Sequence, residues 1–184
     1  LPISMGRERI STRTGDDGTT GLFYGGRVRK DSDLPAAYGT VDEAQAVLGL
    51  ARAEATAAST PHGEELCALL MPIMRDLYVL MAELATLPEN RSKLVAGESA
   101  VTAAMVSRLE AIIDDLDTRF EPPTEFVLPG SNRVAAWLDL ARTVVRRAER
   151  LALRAAEPPS LVVPYLNRLS DLLWTMARDR KSTR

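Results

Sequence analysis

Apolar residues recur three and four positions apart along most of the chain after residue 40, and show no such period before it. From Ile10 to Gly39 the sequence is polar and glycine-rich, and Gly15, Gly18, Gly21, Gly25 and Gly26 disfavour a stable helix there. Helical signals begin with Thr40-Val41-Asp42-Glu43, which reads as a capping box with threonine at N-cap and glutamate at N3. The alanine-rich run Ala44 to Ala58 follows, and Ser59, Thr60 and Pro61 break it. A second helix is expected over about 63–87 from the spacing of Leu66, Leu69, Leu70, Ile73, Leu77, Leu80 and Leu84, with Pro72 predicting a kink or a late start. After a loop from Asn90 to Gly97, Val101, Met105, Leu109, Ile112, Ile113 and Leu116 predict a third helix over roughly 98–118.

Glu121-Pro122-Pro123 is a firm stop, and Phe126-Val127-Leu128-Pro129-Gly130 reads as short and extended. Ser131 or Asn132 can cap a fourth helix running to about Ala156; Pro158-Pro159 ends it, and Ser160 can cap a fifth that ends near Arg180. Five helices with almost no strand signal predict an all-α fold, a five-helix bundle preceded by an irregular glycine-rich segment. A chain of 184 residues fits one domain spanning 1–184 with a real core. Residues 1–9 read as disordered or tag-derived, since Leu1 to Ser4 precede Met5.

Composition narrows the chemistry. A formal net charge of −2 gives no bulk attraction to nucleic acid or to an anionic membrane, so neither is expected as a partner. One cysteine, Cys67, permits no intrachain disulfide, and one histidine, His62, makes a His/Cys metal site implausible; no metal-ligating residues are assigned. No apolar run is long enough to span a bilayer, and residues 1–9 lack the apolar core of a secretory signal, which points to the cytoplasm.

Several constellations can carry chemistry. In Thr12-Arg13-Thr14-Gly15-Asp16-Asp17-Gly18-Thr19-Thr20-Gly21, glycines alternate with hydroxyl residues, so backbone N–H groups can turn toward one point and bind phosphate oxygens; Lys30 adds a point charge downstream. The same residues suit a flexible loop of turn formers. On the fourth helix, Arg142, Arg146 and Glu149 fall within about 60° of one another, a stripe that fits a polyphosphate or, equally, a solvated basic face. Phe126, on its proline-bounded segment, can pack in the core or roof a pocket. Asn167, in Asn167-Arg168-Leu169-Ser170-Asp171, can read a base or ribose, or belong to a surface polar cluster. Asp42 has a sufficient structural reason at N2 of the first helix, where a carboxylate complements the dipole. The run Asp114-Asp115-Asp117 reads as a solvated face, and Trp137, Trp174 and Met176 as core.

Taken in order, these motifs resemble one family, the PduO-type ATP:cob(I)alamin (corrinoid) adenosyltransferases. Thr12 to Thr20 resembles its nucleotide loop, Tyr38-Gly39-Thr40-Val41-Asp42-Glu43-Ala44 its first-helix segment, Phe126 to Gly130 with Ala141-Arg142-Thr143-Val144-Val145-Arg146-Arg147-Ala148-Glu149-Arg150 its strongest signature, and Asn167 to Asp171 its last-helix motif. The resemblance extends from about Arg9 to Arg178. It implies a five-helix homotrimer with active sites between subunits. ATP would be held by Thr12, Arg13, Thr14, Gly15, Asp16, Gly18, Thr20, Gly21 and Lys30 of one subunit, and by Arg146, Arg147, Ala148, Glu149, Arg150 and Asn167 of the next. Arg142, Arg146, Asp42 and Phe126 would serve the reaction itself: Asp42 and Arg142 as an ion pair across the interface, Phe126 as the aromatic beneath the corrin ring that keeps a lower axial ligand off cobalt. Two positions depart from the family pattern: Ser131-Asn132 follows Gly130 where a second glycine is usual, and Asp139 stands where histidine is frequent.

The reaction so implied is a substitution in which cobalt(I) attacks C5′ of ATP and expels triphosphate, giving adenosylcobalamin. Cobalt is itself the nucleophile, so no general base is required, and arginines, lysine and Mg²⁺ suit the leaving group. A reductase and an adenosylcobalamin-dependent mutase are the expected functional partners. The competing readings are a non-catalytic carrier or sensor that binds ATP or adenosylcobalamin on the same fold, and a plain helical interaction module.

Overall fold

A computed structural model describes residues 11–179. The sequence expectations placed on residues 1–10 and on Arg180 lie outside the described residues. A β-hairpin, β1 (Thr19–Gly21) and β2 (Arg27–Arg29), pairs antiparallel with Thr20 opposite Val28. Five α-helices follow: α1 (Asp33–Ala58), α2 (Pro61–Leu84), α3 (Ala103–Asp117), α4 (Arg133–Ala155) and α5 (Val162–Asp179), with a short 3-10 turn at Pro88–Lys93. The all-α bundle is therefore as expected, and the hairpin is an addition to it. Among the described residues no helix is long and apolar enough to cross a membrane.

α1 packs between α2 and α4, and α5 between α4 and α3. Both α1 and α4 bury small side chains, Ala37, Ala44, Ala51 and Ala55 on one and Ala135, Ala141, Ala148 and Ala152 on the other. Small residues at a helix contact shorten the interaxial distance, so α4 lies close along α1. Leucines fill the rest: Leu48, Leu70, Leu77, Leu138, Leu166 and Leu173 have no solvent exposure, each contributing about 1.5–3 kcal/mol of transfer free energy. Met176 joins this core and Trp137 packs partly buried at its margin, while Trp174 is half-buried with the Arg178 guanidinium over its ring.

The first helix starts eight residues before the capping box suggested. Ser32 is its N-cap, and Pro35 sits in the first turn, where a missing N–H costs nothing because those donors have no intrahelical partner. Thr40 is buried and its hydroxyl donates to the Ala36 carbonyl at 2.7 Å, so it is an interior residue rather than a cap. Asp42 thus lies more than two turns inside α1 and exposed, where the helix dipole no longer accounts for it. α2 runs through Pro72 from Pro61, with Thr60 accepting from Gly63 N at 3.1 Å. α3 starts later than expected, at a Thr102 cap, because residues 95–100 fold into a turn held by Val95 N donating to Ser99 Oγ at 2.8 Å. Asn132 caps α4, accepting from Ala135 N at 2.8 Å.

Buried polar groups tie the helices at fixed points. Asp76 of α2 accepts from the Tyr165 hydroxyl of α5 at 2.8 Å and from Arg108 of α3. Burial, then the Asp76 charge, pushes the Tyr165 phenol well above its ordinary range, so it remains a donor. Glu83 accepts from Val101 N at 2.6 Å and from Ser160 Oγ at 2.5 Å, fixing the approaches to α3 and α5. Arg91 donates to the carbonyls of Ala155 (3.0 Å) and Glu157 (3.2 Å) and so closes the end of α4.

Gly63 is required by a close approach: a Cβ there would lie 2.3 Å from the Ala55 carbonyl oxygen of α1. Neither atom sits on a flexible side chain, so Gly63→Ala forces the two helix ends apart. The expected result is a loss of about 1–3 kcal/mol, read as a lowered denaturation midpoint at unchanged slope.

Candidate functional site

The N-terminal loop is shaped by its own polar side chains. Asp17 accepts from Thr19 N at 2.9 Å and Thr19 Oγ1 at 2.8 Å. These bonds, the backbone one foremost, hold its carboxyl below the usual carboxylate range. Arg27, on β2, donates Nε to Thr19 Oγ1 at 3.0 Å and Nη2 to the Thr14 carbonyl at 2.7 Å, fastening the loop to the hairpin. Lys30 N donates to Gly18 O at 2.9 Å, and its Nζ donates to the Gly15 carbonyl at 2.7 Å. Arg13 takes a left-handed backbone conformation (φ 61°), unusual for a residue with a Cβ, and Gly18 another (φ 80°). Thr12 and Thr14 hydroxyls lie 2.9 Å apart. Thr12, Arg13, Thr14, Gly15, Asp16 and Gly18 thus lie on one largely solvent-facing loop that continues into Thr20 and Gly21 of β1, and Lys30, just after β2, is bonded back to it. Its hairpin docks on the end of α2 through Phe23 N donating to Ala85 O at 2.9 Å, with Gly26 against Leu87.

On α4 the arginines separate by environment. Arg146 is exposed, and its side chain has no hydrogen bond or ion pair among the described residues. Arg147 pairs with Glu43 of α1, and Arg150 donates to the Arg146 carbonyl at 3.0 Å. Ala148 is buried against the core. Glu149 accepts from Asn167 Nδ2 at 2.9 Å, so α4 and α5 bring those two residues together; Asn167 Oδ1 in turn accepts from Arg168 at 2.9 Å. Arg142 is half withdrawn: its Nε lies 3.7 Å from Asp139 Oδ1. Asp42 makes no hydrogen bond or ion pair within the chain among the described residues.

Phe126 lies on the irregular stretch between α3 and α4. Its ring is wholly exposed, and Leu128 nearly so, which rules out core packing for the aromatic. Pro129 and Gly130 (φ 97°) turn this stretch into the Asn132 cap. A cavity of about 570 Å³ opens beside that cap, lined by Ala55, Ala58, Leu66 and Val134, with Glu54 and Arg133 pairing across it at 3.4 Å.

No hydrogen bond or ion pair joins residues 12–21 to residues 142–150 among the described residues. Among the described residues the chain carries a glycine-rich polar loop at one place and, at others, an arginine and an aspartate without side-chain partners and an exposed aromatic.

The model of the cobalamin adenosyltransferase family matches residues 10–179. The chain belongs to that family. A corrinoid adenosyltransferase of Citrobacter freundii is 39% identical over 178 residues, covering 95% of this chain and 96% of that protein. One from Mycobacterium tuberculosis is 41% identical over 177 residues, covering 92% and 87%. Among solved structures, a phenylalanine-to-histidine variant of a PduO-type ATP:corrinoid adenosyltransferase from Lactobacillus reuteri, complexed with cobalamin and ATP, superposes with a TM-score of 0.81 at 28% identity, covering 94% of this chain and 91% of that one.

Three participants in this adenosyltransferase fold escape a linear reading. Arg27 clasps the loop, yet its alternation with Arg29 on an exposed three-residue strand is too brief to register as structure. Glu43 meets Arg147 across 104 residues, which no local pattern encodes. Asp139 and Arg142 are one helical turn apart and were open to detection as an i,i+3 pair; Arg178, bonded to Asp139 from α5, was not.

Proposed function

We propose that this chain transfers the 5′-deoxyadenosyl group of ATP to cobalt(I) of cobalamin, releasing triphosphate. Family membership supports the reaction, and one observation carries the site: among the described residues no hydrogen bond or ion pair joins the nucleotide loop to the α4 arginines, although the loop and Arg146, Arg147 and Arg150 are exposed. A homotrimer in which the loop of one subunit faces α4 of the next would complete the site. In that arrangement Lys30, Arg146, Arg147 and Arg150 surround the triphosphate, Asn167 and Glu149 read the nucleoside, and Phe126 covers the lower face of the corrin.

Cobalt(I) supplies both electrons of the new cobalt–carbon bond, the C5′–O bond breaks, and triphosphate leaves with that bond's electron pair. The protein's part is to align C5′ with cobalt and to hold the growing charge on the leaving oxygens. Among the described residues no group of three or more His, Cys, Asp or Glu side chains could hold a metal ion. Mg²⁺ would enter with ATP, held by its phosphates and water, an arrangement that needs no protein cage. Cobalt must arrive as cobalt(I), so a reductase is the expected supplier, an adenosylcobalamin-dependent mutase the expected consumer, and the cytoplasm the setting.

Anaerobic incubation with ATP, Mg²⁺ and chemically reduced cobalamin should convert the cobalt(I) spectrum to that of adenosylcobalamin. Folded protein that leaves the spectrum unchanged would refute the transferase reading. Phe126→Ala separates the corrinoid role from structure. The ring touches solvent alone, so stability should change by less than about 0.5 kcal/mol and ATP affinity should hold, while adenosylation falls. Unchanged turnover would leave Phe126 without a part in the site.

A further inference from the structure

α4 and α5 enclose a charged group that the reaction does not by itself call for. Arg178, in the last turn of α5, donates to Asp139 Oδ2, and both side chains are more than nine-tenths buried. The Arg178 guanidinium also lies over the Trp174 ring, 5.6 Å from its centroid. The other carboxylate oxygen, Oδ1, stands 3.7 Å from Arg142 Nε. That Nε is buried with no hydrogen-bond partner, yet 27% of the Arg142 side chain is exposed.

We propose that Asp139 is a positioning residue for Arg142: anchored by Arg178, it holds the inner edge of the Arg142 guanidinium so that the outer edge stays aimed at the site. The inference rests on the adenosyl-transfer reading of the α4 arginines. Three features carry it. A buried ion pair is a weak device for stability, since apolar side chains of similar volume are often as good. Arg178 fixes the carboxylate by a hydrogen bond and is itself seated on an aromatic face, so Oδ1 has one direction to point. At 3.7 Å from Nε without a hydrogen bond, Oδ1 attracts Arg142 by charge, strongly in a poorly solvated place, while leaving the outer Nη groups unspent. Those groups can then serve a polyanion or a carboxylate of the neighbouring subunit with little reorganisation.

The test is a double-mutant cycle on ATP affinity by calorimetry, with steady-state kinetics alongside. Asp139→Asn keeps the shape and removes the charge. It should weaken ATP binding and raise the KM for ATP by about tenfold, as expected for a charge-assisted contact, with the KM for cob(I)alamin unchanged. In an Arg142→Ala background the same substitution should have no further effect on ATP. Should Asp139→Asn fail to fold, Arg178→Lys replaces it in the cycle, keeping the charge but not the planar fork; the expected pattern is the same. ATP affinity equal to wild type, or an equal loss with and without Arg142, overturns the proposal and leaves the group purely structural. Wild-type protein that binds no ATP would instead remove the adenosyl-transfer reading, and this inference with it.

Discussion

Arg146→Ala should lower kcat/KM for ATP by roughly 30- to 1000-fold, about 2–4 kcal/mol of transition-state stabilisation, and Lys30→Ala by distinctly less. The difference follows from what each cation does before a ligand arrives. Lys30 Nζ already donates to the Gly15 carbonyl at 2.7 Å, so turning to a phosphate exchanges one hydrogen bond for another. Lys30 also has a second duty, closing the loop, which a shorter side chain abandons without removing the loop's main clasp at Arg27. Arg146 is exposed and has no side-chain partner among the described residues. Its helix fixes its Cα–Cβ direction, and a planar fork can take two phosphate oxygens at once. Charge on the triphosphate grows as the C5′–O bond breaks, so the loss should fall on kcat as well as on KM. Small and equal losses for both variants would place the polyphosphate elsewhere.

The parts of this molecule that a linear reading caught share one property: their determinants lie within a few residues. The apolar spacings of α2 and α3, the Asn132 cap and the proline stops are of this kind. α1 began early because Ser32 and Pro35 form a legitimate first turn, and the run of glycines before it masked the change. Four of its nine buried residues are alanine and two more are Thr40 and Gln45, which gives little contrast between faces. The hairpin escaped because three-residue strands carry no usable alternation. At the site, the loop and the α4 stripe were legible by residue type, whereas their environments were not. That Arg147 is engaged by Glu43 and that Asp139 beside Arg142 is anchored by Arg178 depends on helix packing across 104 and 39 residues, and so does the lack of a side-chain partner for Arg146 among the described residues. Phe126 shows the converse: an aromatic on a stiff segment has core burial as its ordinary fate, and only the fold reveals that nothing covers it.

Asp42→Ala and Arg142→Ala should both weaken ATP binding and trimer assembly, and the double variant should be no worse than Arg142→Ala alone. Asp42 is exposed and without a partner among the described residues, more than two turns into α1, so neither a cap nor the helix dipole explains a carboxylate there. A partner from the next subunit would, and we propose Arg142 for that role, since 27% of its side chain is exposed and the motif it sits in resembles the one paired with this aspartate in the family. The two losses should differ in size. Removing Arg142 leaves Asp42 of the neighbour buried against the interface without a counter-charge, at about 3–5 kcal/mol. Removing Asp42 leaves Arg142 with Asp139 still 3.7 Å away, so no charge is stranded outright and the cost should be nearer 1.5–3 kcal/mol, the worth of a charge-assisted hydrogen bond. Because the smaller loss operates through the larger residue, the costs should not add. The readouts are trimer mass by light scattering across a dilution series and ATP affinity by calorimetry, in one low-salt buffer. Additive losses would mean that Asp42 and Arg142 do not meet, and a wild-type monomer at micromolar concentration would mean that no subunit interface brings them together.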